Sequence, residues 1–472
     1  MAVYQVLVVD DSAFMRKIVT DLIEADPEFK VAATASTGKE AIQKAVDVKP
    51  DVITMDVEMP EMNGLDALKS IMQQSSVPVI MLSGINEQGM KETIMALEAG
   101  AFDFIRKPSI SHDQDIAQVG KALVERMRAA MNEIKRKADR EASLQKRKEI
   151  QDDVLRQSQR VQRGTPTQVH REPAQKRIDP VQPVTRPTGE QSERFQSQPL
   201  KRNASLGDQK KERSDKKAEA PKSPNRLPDV REAKTLKPIK PVPSPKESRN
   251  SEPLRSAVDQ VAAASNRPIP IPKAVAGTEG AFNKIVAIGC STGGPRALKT
   301  LLEELPADLP APVIIVQHMP PNFTRSLAQR LNTFSPLHVV EAEDGMVLKK
   351  GSAYIAPGGY HIIVSKTADG KYILKLTEEH PVNGHRPSVD TMFESLLPFT
   401  SLQRHLVLLT GMGSDGARMM KKLYEAGVTS TFAENEETCV VYGMPRSAAE
   451  LQCVRHLLPL QEIATKLVQA VK

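Results

Sequence analysis

Between residues 151 and 270 the chain carries 16 of its 35 prolines, 25 lysines and arginines against 15 acidic residues, and a single aromatic side chain, Phe195. A stretch so poor in large apolar groups cannot offset the entropy of ordering itself. It is predicted to be a disordered tether, so the rest of the 472 residues divides into folded bodies on either side of it. Its excess of positive charge is larger than the +7 of the whole chain, which leaves the flanking parts slightly acidic. The basicity is therefore local. Without aromatic platforms for bases to stack on, the stretch argues against a nucleic-acid role. It reads as a solvated spacer, or as a segment that meets an acidic partner or an anionic membrane face.

Hydrophobic residues make up 40% of the chain and charged residues 26%, and no apolar run approaches the roughly 18 residues of a spanning helix. The first residues lack the basic-then-apolar pattern of a secretory signal, so a cytoplasmic location is expected. Cys290, Cys439 and Cys453 are too few and too scattered for a disulfide framework or a paired-cysteine metal site.

Order is expected on both sides of the tether. Upstream, apolar runs at 4–9, 31–35, 51–56, 77–82 and 102–105 alternate with helical patterns such as 14–25 and 89–99. A last helical pattern, about 114–131, runs into a Lys/Arg/Gln-rich extension that continues as an exposed helix to about 160. Downstream, strands are expected at 284–288, 312–317, 338–342, 353–355, 361–364, 372–376, 405–409 and 428–432, several followed by helices. Both bodies are α/β. In open sheets of this kind, chemistry gathers where strands end and lead into helices.

In the first body Asp10 and Asp11 end the first strand, Asp56 ends the third, Ser83 follows the fourth and Lys107 follows the fifth, which brings all five to one rim. Carboxylates this close repel unless a cation sits among them, and hard oxygen ligands suit Mg²⁺. The Lys107 ammonium and the Ser83 hydroxyl could then stabilise the oxygens of a phosphoryl group placed on a carboxylate. The runs Val-Leu-Val-Val-Asp-Asp-Ser, Met-Asp-Val-Glu-Met-Pro-Glu-Met-Asn-Gly and Ile-Arg-Lys-Pro resemble the receiver domains of bacterial response regulators, over residues 1 to about 125. The resemblance implies that Asp56 accepts phosphoryl from a histidine kinase. It also implies that Asp11, Asp56 and the carbonyl of Glu58 hold Mg²⁺ with Asp10 behind them, and that Ser83, Lys107 and the repacking aromatic Phe104 form the switch. The Lys107-Pro108 bond is often cis in such domains.

In the second body the strand at 284–288 leads into Gly289-Cys290-Ser291-Thr292-Gly293-Gly294-Pro295, a match to G-x-S-x-G. Flanking glycines let a chain turn sharply so that a serine stands exposed, and Pro295 suits the first turn of a following helix. The loop could also cradle an anion or be only a tight turn. A nucleophilic serine needs a base, and His318, at the end of the strand at 312–317, is the best placed; His385 and His361 are rivals. For the orienting carboxylate, Asp415 lies between the strand at 405–409 and a helix, where it could equally be a helix cap. Asp390 and Asp344 follow no clear strand into a helix.

Ala-Ile-Gly-Cys-Ser-Thr-Gly-Gly-Pro, Gln-His-Met-Pro-Pro-Asn-Phe-Thr, Tyr-Ile-Ala-Pro-Gly, His-Arg-Pro-Ser-Val-Asp and Leu-Thr-Gly-Met-Gly-Ser-Asp-Gly-Ala, between residue 284 and about 453, resemble the catalytic domain of chemotaxis protein-glutamate methylesterases, the CheB family. Carried over, Ser291 is the nucleophile, His318 the base and Asp415 the orienting acid, with Thr292 and Met412 shaping the pocket and oxyanion site. Cys290 stands where that family commonly has alanine.

The expected architecture is a flavodoxin-like receiver at 1–125, a helical extension and basic Pro-rich linker at 126–280, and a doubly wound α/β methylesterase at 281–472. The resemblance implies a serine hydrolase, switched by phosphorylation of Asp56. It would demethylate, and also deamidate, glutamyl positions of methyl-accepting chemoreceptors, needing Mg²⁺ for phosphorylation and no cofactor for the ester chemistry. A partner-binding regulator without catalysis and a DNA-binding regulator are the alternatives. The tether is longer than the resemblance would lead one to expect, and the receiver is expected to dock near the Ser291 opening regardless of it.

Overall fold

The computed structural model describes residues 3–84, 86–108, 113–163 and 281–472. The helical extension expected to reach about 160 runs to Arg163; the rest of the predicted tether, 164–270, lies outside the described residues.

The N-terminal part alternates β1 (Tyr4–Val9), α1 (Ala13–Glu24), β2 (Phe29–Ala35), α2 (Gly38–Val48), β3 (Val52–Asp56), α3 (Gly64–Gln74), β4 (Val79–Ser83), α4 (Glu87–Ala99), β5 (Asp103–Arg106) and α5 (Asp113–Arg163). Its strands form one parallel sheet in the order β2-β1-β3-β4-β5, the flavodoxin-like order. A parallel sheet covered by helices on both faces needs strands that are apolar throughout. Val6–Val9 and Val79–Leu82 meet that need, being completely or almost completely buried. Side chains just past the strand ends start the helices: Ser12, Thr37, Asn63 and Asn86 each accept a backbone N–H from the first turn. Gly64 cannot be another residue, since a Cβ there would lie 1.9 Å from the carbonyl oxygen of Asp56.

The C-terminal part runs β6 (Lys284–Cys290), α6 (Gly294–Glu303), β7 (Val313–Gln317), α7 (Phe323–Leu331), β8 (His338–Glu341), β9 (Ser352–Ile355), β10 (His361–Lys366), β11 (Tyr372–Thr377), α8 (Val389–Glu394), β12 (Gln403–Leu408), α9 (Ala417–Glu425), β13 (Thr431–Glu434), α10 (Met444–Glu450), β14 (His456–Leu458) and α11 (Leu460–Val471). Seven strands form a parallel sheet in the order β14-β13-β12-β6-β7-β9-β8, while β10 and β11 pair as a separate antiparallel hairpin. The chain leaves β6 toward β7 and later returns to β12 on its other side, so the strand order reverses at β6. That reversal opens a crevice above the carboxyl ends of β6, β7 and β12.

Two expectations change. The strand placed at 428–432 begins only at Thr431, where pairing with Leu406 starts, and therefore ends at Glu434. Lys107–Pro108 is trans; among the described residues the one cis bond is Arg386–Pro387.

The two sheets share hydrophobic packing. One buried cluster is continuous from Leu68, Ile94 and Leu97 under the first sheet to Phe323, Leu327 and Leu331 of α7. Phe104 of β5 and Phe323 pack with ring centroids 4.7 Å apart. Beside them Arg330 of α7 grips Glu98 of α4 with both arms of its guanidinium, at 2.9 to 3.2 Å.

Candidate active site

β6 ends at Cys290 and the next residue is Ser291. Gly293, at φ +80°, turns the chain so that α6 can start one residue later with Pro295 in its first turn. The backbone of the turn is held from the neighbouring strand end: Ser291 N–H donates to the Thr410 carbonyl at 3.0 Å, and the Thr410 hydroxyl donates to the Thr292 carbonyl at 2.9 Å. Gly411 faces Ser291 so closely that a Cβ there would sit 2.8 Å from the serine Cβ.

His318 follows β7, which pairs directly with β6 through Cys290 and Gln317, so the two loops are neighbours as expected. The imidazole is almost fully enclosed. Its Nε2 lies 2.8 Å from Asp415 Oδ2, and its Nδ1 is buried without a hydrogen-bond partner. Asp415 does not act as a cap, since Gly416 occupies the N-cap of α9. Its carboxylate instead collects Asn383 Nδ2 at 2.7 Å, Ser388 Oγ at 2.9 Å and the backbone N–H groups of Val389 and Asp390 at 2.7 and 3.1 Å. Burial alone would raise its pKa. The His318 contact, Asn383 and Val389 overcome that and hold it well below the usual carboxylate range.

The rivals are engaged differently. The His385 ring stacks flat on His318, with centroids 3.7 Å apart, and burial together with its imidazole neighbour lowers its pKa to about 4. His361 is consumed structurally, its Nε2 against the His380 carbonyl and its Nδ1 accepting from Ser388 N–H. Asp390 accepts from Asn383, Arg418 and Met419, and Asp344 accepts from Leu376 N–H.

Ser291, Thr292, His318 and His385 line a cavity of about 380 Å³ together with Asp103 and Arg126 from the first part of the chain. Asp103 Oδ2 accepts the Thr292 hydroxyl at 2.5 Å and lies 3.3 Å from Arg126 Nε. The face of the serine loop is therefore covered by β5 and α5. Met412 is half-buried and packs on the cluster containing Val119, Leu123 and Val441. Among the described residues neither Thr292 N–H nor Met412 N–H donates a hydrogen bond.

At the rim of the first sheet, carboxylate oxygens of Asp10, Asp11 and Asp56 lie within 4.8 Å of one another. Lys107 Nζ sits 2.8 Å from Asp10 and 2.7 Å from Asp56. Burial pushes Asp56 up to about 6 despite that ammonium, and Asp10 is completely buried; an added cation would relieve both. Glu58 turns its carboxylate to Asn86 and its N–H to Asp56, at 2.7 and 3.3 Å. Ser83 donates to the Gly84 carbonyl at 3.0 Å and accepts from Thr93 at 2.6 Å. Phe104 is buried against Phe323.

The family model for CheB methylesterase matches residues 286–467, and that for the response regulator receiver domain matches 6–119. A protein-glutamate methylesterase/protein-glutamine glutaminase of Halalkalibacterium halodurans is 34% identical over 468 residues, covering 99% of this chain and 98% of that protein. The chain belongs to the CheB methylesterase family. A Bacillus subtilis protein of the same description is 35% identical over 468 residues, with 99% of this chain and 98% of that one covered. The crystal structure of the Thermotoga maritima CheB methylesterase catalytic domain is 43% identical and covers 40% of this chain and 99% of that one, with a TM-score of 0.39. For a CheB methylesterase with a receiver, the contacts that sequence reasoning missed are the ones made across long separations. Asn383 and Ser388 orient Asp415, and Asp103 and Arg126 reach the serine loop. Asn383 stands at an Asn-Gly turn with φ +54°, which marks a turn and gives no sign of its carboxylate partner.

Proposed function

We propose that the chain is a serine hydrolase, switched by phosphorylation, that demethylates γ-methyl glutamyl esters of methyl-accepting chemoreceptors, releases methanol and deamidates receptor glutamines by the same route. The observation that carries this reading is His318, fixed by Asp415 through Nε2, with Nδ1 left unpartnered in the cavity it shares with Ser291.

Ser291 Oγ attacks the ester carbonyl while His318 Nδ1 takes its proton. The same proton then goes to the departing methoxide, and methanol leaves. Water, deprotonated by His318, attacks the acyl-serine and returns the proton to Oγ, freeing a glutamate side chain. With a glutamine substrate the leaving group is ammonia. Asp415 stabilises the imidazolium formed in each step, and the unspent N–H groups of Thr292 and Met412 are available to the oxyanion.

Asp56 is the phosphoryl acceptor, the donor being a histidine kinase. Asp11, Asp56 and the Glu58 carbonyl, with Asp10 behind them, would hold Mg²⁺, whose charge offsets that of the incoming phosphoryl group. Lys107 and Ser83 then receive its oxygens. Because β5 and α5 cover Thr292, the unphosphorylated receiver restrains the esterase, and a change of packing at Phe104 is the means of release. A cytoplasmic location fits these partners, and among the described residues no helix is long and apolar enough to cross a membrane.

The test is methanol release from methylated receptor membranes, with and without a small phosphodonor and Mg²⁺. Ser291→Ala should release none while keeping the wild-type melting profile, and Asp56→Asn should hold the unphosphorylated rate and ignore the phosphodonor. No methanol from the wild-type protein would instead leave a partner-binding regulator whose serine loop is only a turn, and undiminished release by Ser291→Ala would move the nucleophile to another residue.

A further inference from the structure

Glu434 is the last residue of β13 and has no solvent exposure. A carboxyl group in such a position is costly unless it is hydrogen-bonded, yet only one of its oxygens is used: Oε2 accepts Thr410 N–H at 2.9 Å, and Oε1 has no partner. Burial raises its pKa against the pull of that N–H and of the nearby Thr438 and Cys439 side chains. Glu434 is one of the residues that line a cavity of about 490 Å³.

What Glu434 holds is the hub of the serine loop. Thr410 receives Ser291 N–H on its carbonyl at 3.0 Å and donates its hydroxyl to the Thr292 carbonyl at 2.9 Å. The same hydroxyl accepts Val441 N–H at 2.9 Å, and Gly411, the next residue, is packed on Ser291. The Thr410–Gly411 peptide, through the Thr410 carbonyl, thus sets both the height of Ser291 and the approach of Gly411. On the other side of the same Cα, the N–H of the Leu409–Thr410 peptide is fixed by Glu434.

We infer that Glu434 is a positioning residue for the ester and amide chemistry: it acts through Thr410 to keep Ser291 at the height from which Oγ can attack. The inference rests on the reading of Ser291 as nucleophile. It requires an acceptor oxygen at the Oε2 position and does not require a negative charge. A glutamine supplies that oxygen in nearly the same shape, whereas aspartate keeps the charge and withdraws the oxygen by a methylene.

The experiment uses the full chain with phosphodonor and Mg²⁺, and measures kcat and KM for methanol release from methylated receptor membranes. In parallel it measures the rate at which a fluorophosphonate ester phosphonylates the active serine with loss of fluoride. Glu434→Ala and Glu434→Asp should each lower kcat by about tenfold or more with KM held within about twofold, and should slow phosphonylation to match; Glu434→Gln should stay within about twofold of wild type. Activation by phosphodonor should keep its ratio in all of them, because a variant that merely loosened the receiver would raise the basal rate instead. Wild-type kcat in Glu434→Asp, or a loss in Glu434→Gln as large as in Glu434→Asp, overturns the inference; this pair decides even if Glu434→Ala does not fold. Ser291→Ala is run alongside. Label or methanol from it refutes the nucleophile itself, an outcome separate from any Glu434 result.

Discussion

Two imidazoles stacked at 3.7 Å cannot both carry a proton cheaply, and here burial keeps His385 neutral down to about pH 4. Of the two rings His318 alone touches Asp415, so it is the one placed to serve as base in the proposed mechanism. His318→Ala should therefore cut methanol release by roughly a thousandfold or more, and its combination with Ser291→Ala should be no worse than either alone. His385→Ala should be milder, since only a stacking face is lost; an inactive His385→Ala beside an active His318→Ala would move the base to His385. Asp415 carries a second consequence. Its folded pKa is lowered, so its ionised form stabilises the fold at neutral pH, and that contribution is lost as pH falls through the lowered value. Asp415→Asn should lower Tm at pH 7, and the gap to wild type should narrow as pH drops below the ordinary carboxylate range; a gap independent of pH would show that the charge is not what Asp415 contributes.

At the scale of elements, the contact between α4 and α7 rests on an apolar seam closed at its edge by Glu98 and Arg330, the former nearly buried. A pair of this kind contributes about 1 kcal/mol, enough to change a docking equilibrium about fivefold. Glu98→Arg should raise the unphosphorylated esterase rate severalfold, and adding Arg330→Glu should bring it back down; equal rates in both variants would mean that this edge does not restrain the enzyme. The pairing of residues 98 and 330 had no sign in the sequence, because nothing periodic marks which exposed charges meet across a domain contact. The βα alternation was legible for the opposite reason, since parallel strands buried on both faces must be uninterrupted apolar runs, as at Val6–Val9 and Val313–Val316. Ser291, His318 and Asp415 stood out as candidates because each lies in a loop after a strand, within two residues of glycine or proline. β14, only three residues long, offered no run to detect, and the start of β13 was placed three residues early, on Val428, Thr429 and Ser430, ahead of the register that begins at Thr431. That misplacement hid Glu434 within a presumed loop.

For the molecule as a whole, the contacts between the receiver and the esterase among the described residues lie in elements that flank the tether. Besides the α4–α7 seam, α5 continues past the receiver sheet, and its Arg136 donates to the Tyr442 carbonyl at 2.9 Å and lies 3.1 Å from Glu436. These groups act on the segment whose Val441 brackets Thr410, so α5 reaches the serine loop from behind as well as covering it through Arg126 and Asp103. As the passive spacer that its composition predicts, a chain of about 120 residues would have a root-mean-square span of roughly 60 Å, too loose to impose any one arrangement of the bodies it joins. What such a spacer would set is an effective concentration, which falls only slowly with length. Replacing residues 170–265 by a short Gly/Ser linker should therefore preserve activation by phosphodonor and leave the basal rate equal or somewhat lower, as docking becomes more frequent. Methanol release by the shortened chain, phosphorylated and not, measures this directly. Loss of the phosphorylation response, with both parts still melting cooperatively, would place a docking element in the basic stretch and refute its reading as a passive spacer.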